Sequence, residues 1–315
     1  MSRAFVCPGQ GSQSVGMGRA LAETFPAAKA VFEEVDAALS QNLSRLMFEG
    51  PADELTLTAN AQPALMAVSL AAIRVLEAEA GLDLKRHAAF VAGHSLGEYS
   101  ALATAGSLSI ADTARLLRIR GDAMQKAVPV GQGAMAALLG LDVEVAVAVA
   151  RDAAEGEVCD AANDNGPGQV VVSGHKSAVE RAVRLAQERG AKRAILLPVS
   201  APFHCALMAP AAEVMREALQ TVEIRPPVVP VVANVEAAPI TDPDAIRDAL
   251  VRQVTSTVRW RESVNAMAAA GVDTFVEVGS GKVLAGLIKR IAAGATTASV
   301  GTPDDVAALH RTLQS

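Results

Sequence analysis

The sequence is poor in aromatic residues and in cysteine, and each scarcity narrows what it can be. Phenylalanine, tyrosine and tryptophan make up only 3% of the 315 residues, so a core must be built from small and branched aliphatic side chains. Hydrophobic residues still reach 51%, enough for one large domain or a domain carrying a smaller insert. The three cysteines, Cys7, Cys159 and Cys205, are scattered, with no C-x-x-C or zinc-like spacing. That odd, sparse set argues against a disulfide framework and for a reducing compartment. A surplus of positive charge is missing too: 28 basic against 34 acidic residues leave a net charge of −6. Sequence-independent nucleic-acid affinity comes from neutralising phosphates, so this balance makes a poor non-specific binder and leaves any cationic site local. No uninterrupted apolar run approaches the ~20 residues of a membrane span. The opening "MSRAFVCPGQGSQ" lacks the long apolar segment of a secretory signal. A soluble cytoplasmic protein without a metal-ligand cluster is the expectation.

What is present is an alternation of short apolar runs with helical patterns. "AFVC" and "HAAFVAG" read as buried strands entering glycine-containing loops. "QPALMAVSLAAIRVLEAEAG" reads as a helix closed by Gly81, and "IADTARLLRIRGDAMQKA" as another. Between about Gly133 and Val199 the order becomes strand, helix, two strands joined by the turn-rich "NDNGPG", helix, strand. That βαββαβ order is the ferredoxin-like arrangement and reads as an inserted subdomain. Strands alternating with helices resume afterwards, in "VPVVANV", "TDPDAIRDALVRQV", "VDTFVEVG" and "GKVLAGLIKRIA". The expectation is an α/β protein with a largely parallel sheet, its large part formed by residues 1–127 and 200–315 and the small part by 128–199.

Gly93-His94-Ser95-Leu96-Gly97 fits the G-x-S-x-G nucleophile elbow, with a strand before it and a helix after it. Such a turn lifts the serine hydroxyl above the sheet, and the helix N-terminus favours developing negative charge. The plainer alternative is a glycine-rich turn in which Ser95 caps the helix. A nucleophilic serine needs a base, and five histidines are available. His94 adjoins Ser95, where side chains usually diverge; His87, His175 and His310 lie away from any strand end a site would use. His204, in "LLPVSAPFHCALMAP", sits just past a strand end, where sites of α/β sheets gather. It is the candidate base, with a packed loop histidine as the alternative. Arg120 falls on the apolar face of its helix with Leu116, Leu117 and Met124, away from Arg115, Arg118 and Asp122. An arginine facing inward needs a partner: either a structural carboxylate, or a substrate carboxylate held by the guanidinium fork. Two nucleotide motifs fail. "GQGSQS" has Ser14 where the dinucleotide fingerprint needs glycine, and "VEVGSGKV" has Val283 after Gly281-Lys282 where a P-loop needs Ser or Thr.

Taken together, "PGQGSQSVGMG", "AQPALMAVSLA", "GHSLGEYSALATAG", "MQKA", "NGPGQVVVSG", "PFHCALMAPA" and "EVGSGKVLAGLIKRI" resemble the malonyl-CoA:acyl carrier protein transacylases of bacterial type II fatty-acid synthesis. The resemblance runs in order from Phe5 to about Ile291. It implies an α/β-hydrolase-like large subdomain carrying a ferredoxin-like small one, with the active site between them. It implies Ser95 as acylated nucleophile, His204 as base, and Arg120 as partner of the malonyl carboxylate. Gln10 and Leu96 match the two backbone N–H donors of the oxyanion hole. Gln253 matches a residue whose carbonyl orients the histidine in place of a triad aspartate. Gln62 matches a position lining the cleft, and Asn163 and Asn165 match positions near the pantetheine arm of coenzyme A. The implied reaction is a ping-pong transfer from malonyl-CoA to acyl carrier protein. Coenzyme A is then a substrate and no cofactor is needed, and the enzyme is a monomer. In related polyketide acyltransferases an aromatic residue before the histidine accompanies malonyl, as Phe203 would here. Many fatty-acid transacylases have serine at that position, so Phe203 keeps open a discrete transferase serving polyketide synthesis. A serine esterase or thioesterase shares the elbow and histidine but has no need of Arg120; an inactive docking module for carrier protein needs none of them. Carrier protein is acidic, and Lys282, Lys289 and Arg290, or Lys192 and Arg193, are candidate contacts that serve equally as ordinary solvated charges.

Overall fold

The computed structural model describes residues 2–313. Its strands are, in chain order, β1 (Arg3–Cys7), β2 (Phe90–Gly93), β3 (Gly133–Leu139), β4 (Cys159–Gly166) and β5 (Gln169–His175). There follow β6 (Arg193–Leu196), β7 (Val231–Ala233), β8 (Ala238–Ile240), β9 (Thr274–Val278) and β10 (Thr296–Val300). They form two sheets.

The larger has the order β10-β9-β1-β2-β7-β8. Every neighbouring pair in it is parallel except β7 and β8. Successive side chains of a strand face opposite sides, and β1 shows the consequence. Phe5 and Cys7 join the main core, while Ala4 and Val6 join a second cluster around Trp260, Val264 and Ile288. With helices on both faces, the central strands must be apolar throughout, which is why β1 and β2 read as unbroken apolar runs. The helix Thr58–Ala80 lies at the centre of the main core. It is long and apolar enough to cross a membrane, with a mean hydropathy of 1.3, yet 89% of that window is buried inside the protein. No uninterrupted run signals it, because Asn60, Gln62, Ser69 and Arg74 punctuate the helix; a helix apolar on most sides belongs in a core or a bilayer, and here the core takes it.

The smaller sheet has the order β4-β5-β3-β6, antiparallel throughout. The helices Val143–Ala154 and Lys176–Glu188 complete its βαββαβ order, and Leu138, Val149, Val172 and Val179 belong to a core of its own. One boundary differs from the sequence pattern. Residues 163–166 continue β4 rather than turning, and only Pro167 and Gly168 separate it from β5. Register shifts between Ala161 and Asn163 and between Asp164 and Gly166 break the ladder there. The extended path carries this stretch to the start of the helix Trp260–Ala269, where Val258 bridges to Asn163 and Asp164 pairs with Arg261 at 2.9 Å. The sequence pattern also leaves unmarked β8, β10 and the helix Pro303–Leu313. β10 ("TTASV") is an edge strand with an exposed or half-buried face, so its residues carry little hydrophobic signal.

Candidate active site

The turn from β2 into the helix Leu96–Thr104 is built on backbone packed against backbone. A Cβ on Gly93 would stand 1.9 Å from the carbonyl of Gly97, and one on Gly97 would stand 2.3 Å from the carbonyl oxygen of Cys7. Neither position tolerates a side chain. Between them Ser95 adopts φ 53° and ψ −112°, a left-handed conformation costing an L-residue about 1–3 kcal/mol. Ser95 occupies the helix N-cap position, but its side chain caps nothing. Its Oγ lies instead 2.8 Å from His204 Nε2 and 3.0 Å from Arg120 Nη2.

His204 is also in the left-handed region, at φ 57°, just before the short helix Ala206–Met208. Its Nδ1–H donates to the backbone carbonyl of Gln253 at 2.9 Å. That acceptor fixes the tautomer and turns the Nε2 lone pair toward Ser95. Burial first, and the Arg120 charge second, hold the imidazole down to about pKa 3. At neutral pH it is therefore uncharged and able to take a proton.

Arg120 is 1% exposed, while Arg115 on the same helix reaches solvent beside Asp112. Burial lowers the Arg120 pKa from its ordinary value, opposed by the Coulombic influence of Tyr99 and Glu98. Its guanidinium donates to Gln62 Oε1 and Gln253 Oε1, each at 2.8 Å, and to Ser95 Oγ. All three acceptors are uncharged, and Nε is buried with no hydrogen-bond partner. The carbon of the guanidinium lies 5.6 Å from the centre of the Tyr99 ring, a contact that eases burial of a cation. A buried arginine whose acceptors are all neutral, beside a serine hydroxyl, is suited to an anionic guest.

These groups open on a cavity of about 410 Å³ between the two sheets. Gln10, Gln62, Leu96, Asn163, Asn165 and Phe203 all line it, together with His94 and Met124. Leu96 opens the helix after Ser95, Gln10 reaches the same cavity from the loop after β1, and the Gln10 side chain donates to Thr58 Oγ1 at 3.2 Å. Gln62 donates to Met124 Sδ at 3.7 Å while accepting from Arg120. Among the described residues no group of three or more His, Cys, Asp or Glu side chains is arranged to hold a metal.

The acyl transferase domain model matches residues 4–312. The chain belongs to the acyl transferase family.

Within it, the malonyl CoA-acyl carrier protein transacylase of Escherichia coli K12 is 50% identical over 305 residues, covering 97% of this chain and 97% of the relative. The crystal structure of an acyl-carrier-protein-S-malonyltransferase from Bartonella henselae superposes with a TM-score of 0.97 at 58% identity, covering all of both chains. A malonyl-transacylase solved in complex with a type II polyketide acyl carrier protein superposes with a TM-score of 0.95 at 42% identity, covering 99% of this chain and 100% of that one. The chain is thus an enzyme, an acyltransferase resembling malonyl transferases along its whole length.

Three residues bonded into this cluster escaped the sequence reading as participants. His94 does not diverge from the cleft: its Nε2–H donates to Asn165 Oδ1 at 2.8 Å, and its ring packs 5.8 Å from that of Trp260. Burial lowers its pKa, so it too is neutral at pH 7, and it joins the Ser95 turn to β4. Glu98 is 1% exposed; burial pushes its carboxyl up to about 7 against the hydrogen bonds from Asn234 and Gln253 that favour its charge. A carboxylate three residues beyond Ser95, the only charged side chain of its helix, is a visible signal. Asn234, at the end of β7, accepts from the Ser95 N–H at 2.8 Å; its only sequence mark is a polar residue closing an apolar run at a strand's C-terminal end.

Proposed function

We propose that this acyltransferase moves a malonyl group from malonyl-CoA to the phosphopantetheine thiol of acyl carrier protein through a malonyl-Ser95 ester. The observation that carries the reading is the position of Ser95 Oγ, 2.8 Å from a neutral histidine nitrogen and 3.0 Å from a buried arginine. Ser95 Oγ attacks the thioester carbonyl as its proton passes to His204 Nε2. The backbone N–H groups of Gln10 and Leu96 hold the oxyanion. The tetrahedral intermediate collapses by breaking the C–S bond, and His204 returns its proton to the departing coenzyme A thiolate. Discharge is the reverse with a new thiol: His204 takes the pantetheine proton, the sulfur attacks the ester, and Ser95 leaves with the proton restored.

Arg120 receives the free malonyl carboxylate, steadied by Gln62 and Gln253. An acyl group without that carboxylate leaves the cation unpaired in the cleft, which discriminates strongly. Phe203, 9% exposed beside the histidine, adds bulk where an α-branched acyl group would need room. Asn163 and Asn165, on the edge of the small sheet, flank the path of the pantetheine arm. In this reading residues 1–127 and 200–315 form the catalytic subdomain and residues 128–199 the small one. Coenzyme A is a substrate and not a resident cofactor, and the enzyme works as a cytoplasmic monomer.

The test is intact-protein mass spectrometry after mixing with malonyl-CoA, acetyl-CoA or methylmalonyl-CoA, followed by carrier protein. A malonyl adduct on Ser95, absent in Ser95→Ala and removed only by carrier protein, is the expected result. An adduct lost quickly to water replaces the transferase with a hydrolase, and no adduct from any thioester removes Ser95 as nucleophile.

A further inference from the structure

Two side chains grip the strained peptide of Ser95 from either side. Its N–H donates to Asn234 Oδ1 at 2.8 Å, and its carbonyl accepts from Gln253 Nε2 at 3.1 Å. Asn234 reaches further round the turn, donating through Nδ2 to the carbonyl of Gly93 at 2.7 Å. Its own backbone N–H donates to Glu98 Oε2 at 2.9 Å, the same oxygen that accepts from Gln253 Nε2 at 2.9 Å. Asn234 is wholly buried and closes β7, the neighbour of β2 in the sheet. One short planar amide thus gives its donor to the strand-to-helix turn and its acceptor to the Ser95 N–H, with Gln253 Nε2 at 3.3 Å on the same oxygen, and it is not part of the cleft lining.

We infer that Asn234 is a positioning residue for the nucleophile: it locks the turn so that Ser95 Oγ stays between His204 and Arg120. The inference rests on the reading of Ser95 as the acylated group. Asparagine suits the place because the turn presents an N–H and a C=O to be satisfied together. Leucine has similar volume and neither function. Ionised aspartate accepts from Ser95 but sets a second oxygen against the Gly93 carbonyl, with Glu98 close by. A misplacement of the attacking oxygen on the scale of 1 Å slows reaction by about 100-fold, while Arg120 keeps its acceptors Gln62 Oε1 and Gln253 Oε1.

The experiment compares the full chain with Asn234→Leu, Asn234→Asp and Ser95→Ala. Single-turnover rates of Ser95 labelling are measured with malonyl-CoA and with a fluorophosphonate, which has no carboxylate for Arg120. Each rate is taken per labelled site, from the fraction of protein labelled at completion. Asn234→Leu is expected to lower both rate constants about 100-fold, with the half-saturating malonyl-CoA concentration changed by less than about 3-fold. Asn234→Asp falls between it and the wild type. A merely structural role would lower the labelled fraction or the melting temperature and leave the rate per labelled site alone. A rate within about 2-fold of wild type in Asn234→Leu, or in Asn234→Asp if the leucine variant does not fold, overturns the inference. Should the wild type take the fluorophosphonate on Ser95 but never malonyl, the transferase reading fails while the Asn234 comparison still gives its answer.

Discussion

The guanidinium of Arg120 and the hydroxyl of Ser95 lie 3.0 Å apart, on residues 25 positions apart in the chain. In the proposed mechanism the cation therefore stands where the serine oxygen gains negative charge as its proton leaves. It also stands near enough to His204 to depress the basicity of the group that must take that proton. These effects oppose each other, and a bound carboxylate would change both by neutralising the arginine. The proposed mechanism thus links acyl selectivity and proton transfer through this one contact.

Replacing Arg120 with alanine should separate acyl groups by charge. Malonyl transfer is expected to fall by about 100-fold or more, because the carboxylate then enters a buried site without its cation. Acetyl transfer is expected to hold or rise. Steady-state rates with both thioesters decide it; an equal loss for the two would make the arginine structural.

The Arg120 charge should also be visible in the pH dependence of labelling. It disfavours the imidazolium, so Arg120→Gln raises the His204 pKa, while burial, the larger cause, remains and keeps it below its ordinary value. Fluorophosphonate labelling needs the neutral imidazole and no carboxylate receptor. The ratio of variant to wild-type labelling rate should therefore fall as the pH is lowered from neutrality toward about 4. A ratio constant over that range would remove Arg120 from the environment of the base.

His204→Ala is expected to slow both half-reactions, since the same nitrogen takes the serine proton in one and the pantetheine proton in the other. General acid–base assistance accounts for about 100- to 10,000-fold in such steps. Rapid-quench measurement of ester formation and of discharge to carrier protein tests this; loss of only one half-reaction would require a second base.

Gly93→Ala should destabilise the fold as well as the site. Its new methyl would meet backbone atoms of Gly97 at 1.9 Å, atoms that no rotamer change can move. A loss of more than about 3 kcal/mol in denaturant unfolding is expected. Gly286→Ala, in the helix Val283–Ile291 with nothing within 4 Å of the added carbon, is expected instead to be neutral or to stabilise by up to about 1 kcal/mol.

Several features of this protein were legible in its sequence because they depend on short-range pattern. Apolar periodicity marks which side of a segment is buried, and it was enough to yield an α/β protein with a βαββαβ insert. The same logic put Arg120 on an inward face and found the strand-turn-helix context of Ser95. Where the pattern was weak it misled: β4 continues through Asn163 and Asn165, because bulges and pairing to Val258 hold extended a stretch whose composition suggests a turn. Beyond that, the tertiary structure decided. That the Ser95 N–H finds Asn234, 139 residues downstream, follows from the order in which strands pair. The bond from His204 to the carbonyl of Gln253, 49 residues on, has the same origin, and in the sequence only the family resemblance implies it. The loops at their carboxyl ends meet only once β2 lies beside β7 and the helix Pro243–Gln253 closes over them. Hydrogen bonds of this kind join single polar atoms across the fold and leave no periodic trace in the chain.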